Sequence, residues 1–158
     1  MLFFSLVLAH FIADFYLQTD DMVIEKRKNL WKHVSHHLFT SGFVLIGFWI
    51  LSYNFENILK YLFIPLIGIV ASHLIVDWLK IILLDKLKMT NEENMSRLGY
   101  FVLDQILHLG VILLACMFCF QFDIEEVVQQ KGGLSFIESV LFFIIIVILA
   151  TTVSGHMI

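Results

Sequence analysis

Five apolar stretches alternate with short polar connections along the chain. The stretches cover residues 2–17, 34–52, 59–84, 98–120 and 134–152. Most approach the roughly 20 residues that a helix needs to cross the hydrocarbon core of a bilayer, although the first is short and the third is long. Helices are expected because lipid offers no hydrogen-bond partner to an unpaired backbone group. The pattern predicts an all-α, polytopic transmembrane bundle of about five helices, with connections at residues 19–33, 53–60, 85–97 and 121–133.

Composition favours the same class of protein. Of the 158 residues, 59% are hydrophobic and 15% are charged, whereas a soluble domain is roughly half apolar and about a quarter charged. Because no Pro/Gly/Ser-rich linker divides the chain, residues 1–158 are expected to form a single integral membrane domain. The net charge of −4 and the lack of a long basic cluster argue against a nucleic-acid partner, so the lipid bilayer is the expected partner.

The lysines and arginines predict the orientation of this bundle. Four lie in the first connection, one in the second, four in or beside the third and one in the fourth. Cytoplasmic loops are enriched in these residues, so we expect the N-terminus outside, the C-terminus inside, and a multi-pass location in the cell (inner or plasma) membrane. In chain order they are Lys26, Arg27, Lys28 and Lys32, then Lys60, then Lys80, Lys86, Lys88 and Arg97, and finally Lys131.

Ionisable residues interrupt three of the apolar stretches in a repeated pattern. Residues four apart share one face of a helix, and ionisable groups in hydrocarbon are costly, so regular pairs indicate function. The first stretch carries His10, Asp14 and Gln18, the third carries His73 and Asp77, and the fourth carries Asp104 and His108.

The order of each pair reverses where the chain direction reverses. The first and third helices run inward and carry His before Asp, whereas the fourth runs outward and carries Asp before His. All three pairs should therefore point the same way, with a layer of histidines and, about 6 Å nearer the cytoplasm, a layer of aspartates. The second stretch opens on the same side with His33, His36 and His37, of which His33 and His37 share a face.

Three imidazoles with carboxylates one turn away are typical of a site for a divalent metal ion, with zinc the first candidate. We assign His10, His73 and His108 as ligands and His33 and His37 as auxiliary ligands. The three aspartates are candidates for second-metal ligands, for partners that fix the histidine tautomers, or for a general base. The candidate substrate-binding residues are Gln18, Gln105 and Lys80.

Simpler interpretations of the same residues stay open. Buried His and Asp can form interhelical hydrogen bonds of about 1 kcal/mol without any metal. Gln18 can equally cap or solvate a helix end, and Lys80 can pair with Asp77 along the helix or extend toward the interface. His36 is better explained as interfacial, and His156 as an end-of-helix residue.

The ordered motifs resemble a bacterial integral-membrane family known only as a domain of unknown function. The resemblance covers about residues 1–120 and rests on HxxxDxxxQT from His10, the histidines that open the second helix, HxxxDxxK from His73, and DQxxH from Asp104. It implies a polytopic inner-membrane protein and no established activity. The pattern is also loosely similar to membrane-bound proteins assigned as metal-dependent hydrolases, which is an analogy of motif and not of demonstrated function.

Three functions fit these observations. The first is an intramembrane metal-dependent hydrolase that acts on a lipid-linked or amphiphilic substrate at the cytoplasmic leaflet. The second is a metal-ion or proton-coupled carrier, which requires polar residues through to the outer face; the outer halves of the stretches are almost wholly apolar. The third is a non-catalytic assembly or sensor subunit. Substrate, metal identity and oligomeric state stay open.

The orientation can be tested by cysteine labelling in intact cells, with Cys116 and Cys119 first replaced by serine. Arg27→Cys lies in the first connection and should react with a membrane-impermeant maleimide only after the cells are permeabilised. Asn57→Cys lies in the second connection and should react in intact cells. The opposite pattern would reverse the assigned orientation.

Overall fold

The structure is a computed structural model that describes the backbone of residues 1–53, 55–87, 94–121 and 135–156. Much of the third and fourth predicted connections lies outside these residues, as do Lys88 and Lys131. The side chains of Lys86, Arg97 and His156 also lie outside the description.

The described residues form helices and short turns, which confirms the all-α architecture. Two of the apolar helices contain a turn of π-helix, one at the end of α1 and one before α4. The elements are α1 (Leu2–Phe11), a π turn (Ile12–Tyr16), α2 (Asp20–Ile24), α3 (Lys26–Tyr53), a π turn (Leu59–Phe63), α4 (Ile64–Leu87), α5 (Asn94–Phe120) and α6 (Phe136–His156).

Three of these helical stretches are long and apolar enough to cross a membrane, which fits a membrane protein. They are Lys26–Tyr53, Leu59–Leu83 and Gly99–Phe120. Leu2–Tyr16 and Phe136–Thr151 are shorter apolar helices. The number of crossings and their orientation stay predictions.

The prediction that residues 19–33 form only a polar connection between helices is wrong. Most of this segment is helical, because α2 occupies its first half and α3 begins at Lys26, eight residues before the predicted start at residue 34. Lys and Arg are good helix formers, and a drop in hydropathy marks the end of an apolar surface rather than the end of a helix. The 28 residues of α3 span about 42 Å, more than a hydrocarbon core of about 30 Å.

Because of the π turn at Ile12–Tyr16, Gln18 does not lie on the helix face of His10, where it was expected. A π turn takes more residues than an α turn and often occurs at functional sites; this one contains Asp14. The helix ends at Tyr16, so Gln18 follows the helix and does not continue the face of His10. The other π turn, Leu59–Phe63, contains none of the candidate site residues.

An apolar core fills one half of the bundle and leaves the polar residues in the other half. The core is formed by side chains of α1, of the C-terminal halves of α3 and α5, and of the start of α4 with the π turn before it. Side chains of α6 cover one side of this core. Its buried members are Leu2, Leu6, Val7, Phe11, Leu45, Leu62, Ile69, Ile112, Cys116, Ile145 and Ile148. The polar site therefore has a wall of close-packed apolar side chains on one side.

Leu45 gives a direct test of this core, because its side chain is completely buried, whereas Leu51 on the same helix is 83% exposed. Leu45→Ala should leave a cavity that costs about 2–5 kcal/mol and should lower the midpoint of thermal unfolding in detergent. Leu51→Ala is the matched control and should leave the midpoint almost unchanged. Equal midpoints for the two variants would contradict the packing described here.

Candidate metal centre

Five imidazoles from four helices converge in the polar half of the bundle. α1 supplies His10, α3 supplies His33 and His37, α4 supplies His73, and α5 supplies His108. Each is at most 5% exposed, and each presents Nε2 to a carboxylate. Five buried nitrogens of one type around shared carboxylates form a donor set suited to a transition metal.

The five rings pack directly against one another. His73 stacks on His37 with 3.6 Å between ring centroids and on His108 with 4.2 Å. His10 lies 5.1 Å from the rings of both His37 and His108. The structure therefore brings His10, His73 and His108 together, as expected from the reversal of the motifs, and adds the two histidines of α3 to the same group.

Asp14 is surrounded by donors from α1, α3 and α5. Its Oδ1 accepts a hydrogen bond from His37 Nε2 at 2.9 Å and lies 3.3 Å from His33 Nε2. Its Oδ2 accepts from Gln105 Nε2 at 3.1 Å and lies 3.4 Å from His10 Nε2. Each oxygen of this buried carboxylate thus has two partners, which offsets the cost of its burial.

His33, His73 and Asp77 present three ligand atoms at nearly equal separations. The distance between the two Nε2 atoms is 3.2 Å, and Asp77 Oδ2 lies 3.3 Å from each of them. Tetrahedral zinc with ligands at 2.0–2.1 Å has ligand–ligand edges of about 3.3–3.4 Å. The three atoms therefore match one face of a tetrahedral coordination site.

Asp104 forms a different arrangement, in which Lys80 is its cationic partner. Lys80 Nζ of α4 donates to Asp104 Oδ2 of α5, and Asp104 Oδ1 lies 3.6 Å from His108 Nε2. Pairing with Asp77 along the helix was one of two possibilities left open for Lys80. The lysine instead reaches across to Asp104 on the neighbouring helix, and Asp77 lies among the imidazoles.

Within the described part of the chain, two further groups of residues that overlap this triangle have ligand atoms close enough to hold an ion. Asp14, His33, His37 and His73 form one group, and His73, Asp77 and His108 form the other, with ligand atoms within 4.8 Å of one another in each. His73 belongs to both groups. Because a neutral imidazole offers one lone pair, His73 can bind only one ion at a time. The cluster could therefore hold a divalent ion, and the two groups are not independent sites.

The remaining candidates fall inside and outside this cluster. Gln105 is 7% exposed and its amide oxygen lies 3.4 Å from His10 Nε2, so both ends of its amide contact the cluster; the predicted substrate contact stays untested. Gln18 is half-buried, and no hydrogen bond within the described part of the chain joins it to the cluster. His36 is half-buried, and its interfacial position stays a prediction.

The central position of His33 is not evident from the sequence pattern. Its Nε2 contacts His73, Asp14 and Asp77, although it precedes the apolar stretch and was assigned an auxiliary role. The available indication was the four-residue spacing of His33 and His37, which repeats the spacing of the other pairs.

Comparison with known proteins gives a family and no function. The family model described as "Protein of unknown function (DUF3307)" matches residues 2–135, which is most of the chain. No curated protein and no solved structure matches the chain.

The pairing of Lys80 with Asp104 can be tested by a double-mutant cycle. Lys80→Met leaves a buried carboxylate without its cation, which should cost about 3–5 kcal/mol and lower the unfolding midpoint. Lys80→Met with Asp104→Leu should recover much of this loss. Lys28→Met is the control, because Lys28 is 76% exposed and pairs with Glu25 at the surface, where an ion pair contributes about 0–1 kcal/mol. If the losses of stability caused by Lys80→Met alone and Asp104→Leu alone add up to the loss in the double variant, the pairing is contradicted.

Proposed function

The chain belongs to the DUF3307 family, and we propose that it is a membrane-embedded metalloprotein whose buried His/Asp cluster binds a divalent metal ion. The observation that carries this proposal is the triangle formed by His33 Nε2, His73 Nε2 and Asp77 Oδ2, with sides of 3.2, 3.3 and 3.3 Å. Neutral imidazole and carboxylate suit zinc, iron, manganese or nickel, and zinc is the first candidate because the triangle fits a tetrahedral site.

Charge supports a cation at this position. Three carboxylates, those of Asp14, Asp77 and Asp104, meet in the cluster, and Lys80 is ion-paired with Asp104. With the imidazoles neutral, the form that binds a metal, two negative charges remain, and Lys26 adds positive charge only at the edge of the cluster. A buried excess of charge is costly unless it is neutralised. One divalent ion neutralises it, whereas a cluster held by hydrogen bonds alone must take up protons to do so.

We propose that this metalloprotein is a hydrolase for a lipid-linked or amphiphilic substrate. A bound divalent ion activates water for attack. The apolar core closes one side of the cluster, so a substrate must approach from the other side, which is the cytoplasmic leaflet of the inner membrane in the orientation predicted from the lysines and arginines. A carboxylate that is not taken by the ion, such as Asp14, is placed to accept a proton from water or to hold His37 in one tautomer.

Two other functions use the same residues. A non-catalytic assembly or sensor subunit is supported by the hydrogen bonds that already join the cluster across helices, such as His37 to Asp14. A carrier is less well supported, because a through-path would have to cross the core around Leu6, Leu45 and Ile112, which are at most 2% exposed.

Metal content provides the first test. Protein purified in detergent without chelators should retain at least one equivalent of a divalent metal in elemental analysis. His33→Gln and His73→Gln should each lower the retained metal at least tenfold, because each removes a corner of the triangle. His36→Gln removes a neighbouring imidazole and should retain the wild-type content. Wild-type protein without metal, both as purified and after incubation with zinc, would contradict the proposal.

Reconstitution in vesicles then distinguishes the functions. A hydrolase should release product from a lipid-linked phosphate in the leaflet that its cluster faces, and a chelator should abolish this release. A carrier should instead move zinc or protons into the vesicle. Metal binding without turnover or transport would favour the assembly or sensor subunit.

A further inference from the structure

Two buried polar atoms beside the metal-binding triangle have no hydrogen-bond partner. In the described part of the chain four side-chain atoms are in this state: Asp104 Oδ1, His108 Nε2, His33 Nδ1 and His36 Nδ1. The first two lie together, 3.6 Å apart, on residues that are 7% and 3% exposed. Because nearly all buried polar atoms in proteins are paired, an unpaired couple indicates a missing ion or water.

The carboxylate of Asp77 connects this couple to the triangle. Its Oδ2 lies 3.3 Å from both His33 Nε2 and His73 Nε2. Its other oxygen, Oδ1, lies 3.9 Å from His108 Nε2. The two oxygens of one carboxylate therefore face two different sets of ligands, which is the arrangement of a carboxylate that bridges two metal ions.

We propose a second divalent cation position formed by Asp77 Oδ1, Asp104 Oδ1 and His108 Nε2, so that Asp77 bridges a binuclear centre. This proposal rests on the metal site proposed above. The separations of 3.6 and 3.9 Å are roughly 0.2–0.6 Å longer than the edge of a tetrahedral site, a difference that small side-chain movements close when an ion binds. Paired ions in such centres lie about 3.5–4 Å apart.

Lys80 has a positioning role in this centre. It occupies Asp104 Oδ2, which leaves Oδ1 directed to His108. A lysine beside a metal ion normally repels it, but here the ammonium group lies on the oxygen away from the ion. The lysine thereby fixes one carboxylate oxygen for the second cation.

The charge of the loaded centre identifies the class of ligand that it takes. Three carboxylates and one ammonium group leave a charge of −2, and two divalent ions change this to +2. Lys26, half-buried at the start of α3, interacts electrostatically with all three aspartates and adds positive charge at the edge of the cluster. Such a centre favours a dianionic oxyanion, so the substrate group is a phosphate monoester or a terminal phosphate of a lipid, whose oxygens two metal ions can clamp.

Manganese titration of the full-length protein in detergent tests the second position. After the bound metal is removed by chelation, wild-type protein should take up two Mn²⁺ per chain, the second with lower affinity. The electron paramagnetic resonance spectrum should change from an isolated to an exchange-coupled signal as the second ion binds. Inorganic phosphate should bind at least tenfold more tightly to the doubly loaded protein than to the singly loaded protein.

Asp104→Asn removes the anionic ligand of the second position and should leave one uncoupled ion. Asp20→Asn is the matched control, because Asp20 is exposed on α2, and it should retain two coupled ions. A single uncoupled ion in wild-type protein, or a coupled pair in Asp104→Asn, would overturn the second position and leave the first site intact. No bound ion at all would remove both proposals. If Asp104→Asn does not fold, the wild-type spectrum alone tests the second position, because it shows either an exchange-coupled pair or an isolated ion.

Discussion

Burial of three carboxylates in an apolar bundle is the constraint on which the rest of this structure depends. An unpaired charge in such surroundings costs several kcal/mol, so each carboxylate must meet partners from other helices. Asp14 draws on α3 and α5, Asp77 on α3, and Asp104 on α4. Because these contacts cross between helices, they fix the rotation of α1, α3, α4 and α5 about their axes. The same contacts that hold the helices in register also assemble the donor set.

Pattern and spacing were enough to predict the helices and the proximity of three histidines. A four-residue spacing fixes two side chains on one helical face, and reversal of the pair with chain direction brings like groups to one level. His10, His73 and His108 are indeed neighbours. The contact of His10 Nε2 with the amide oxygen of Gln105 was not predicted. These inferences succeeded because they depend on helix geometry and hydropathy alone.

The details of the cluster depend on contacts between helices, which one sequence does not specify. His33 lies in polar sequence before an apolar stretch, so its burial required knowledge that α3 begins at Lys26 and crosses the site. Gln18 was misplaced because a π turn interrupts the helix before it, and no residue type marks such a turn. Lys80 has an acidic residue three positions away on its own helix but pairs with Asp104, since the imidazoles already occupy Asp77.

The central claim is that these imidazoles and carboxylates are ligands of a metal ion. X-ray absorption spectroscopy of the zinc-loaded, full-length protein tests it most directly, because the spectrum reports the atoms bonded to the metal. We expect nitrogen and oxygen neighbours at about 2.0–2.2 Å, with the outer-shell scattering of at least two imidazoles that disappears in part in His73→Gln. A first shell of sulfur from Cys116 and Cys119, or of oxygen without imidazole, would contradict the account.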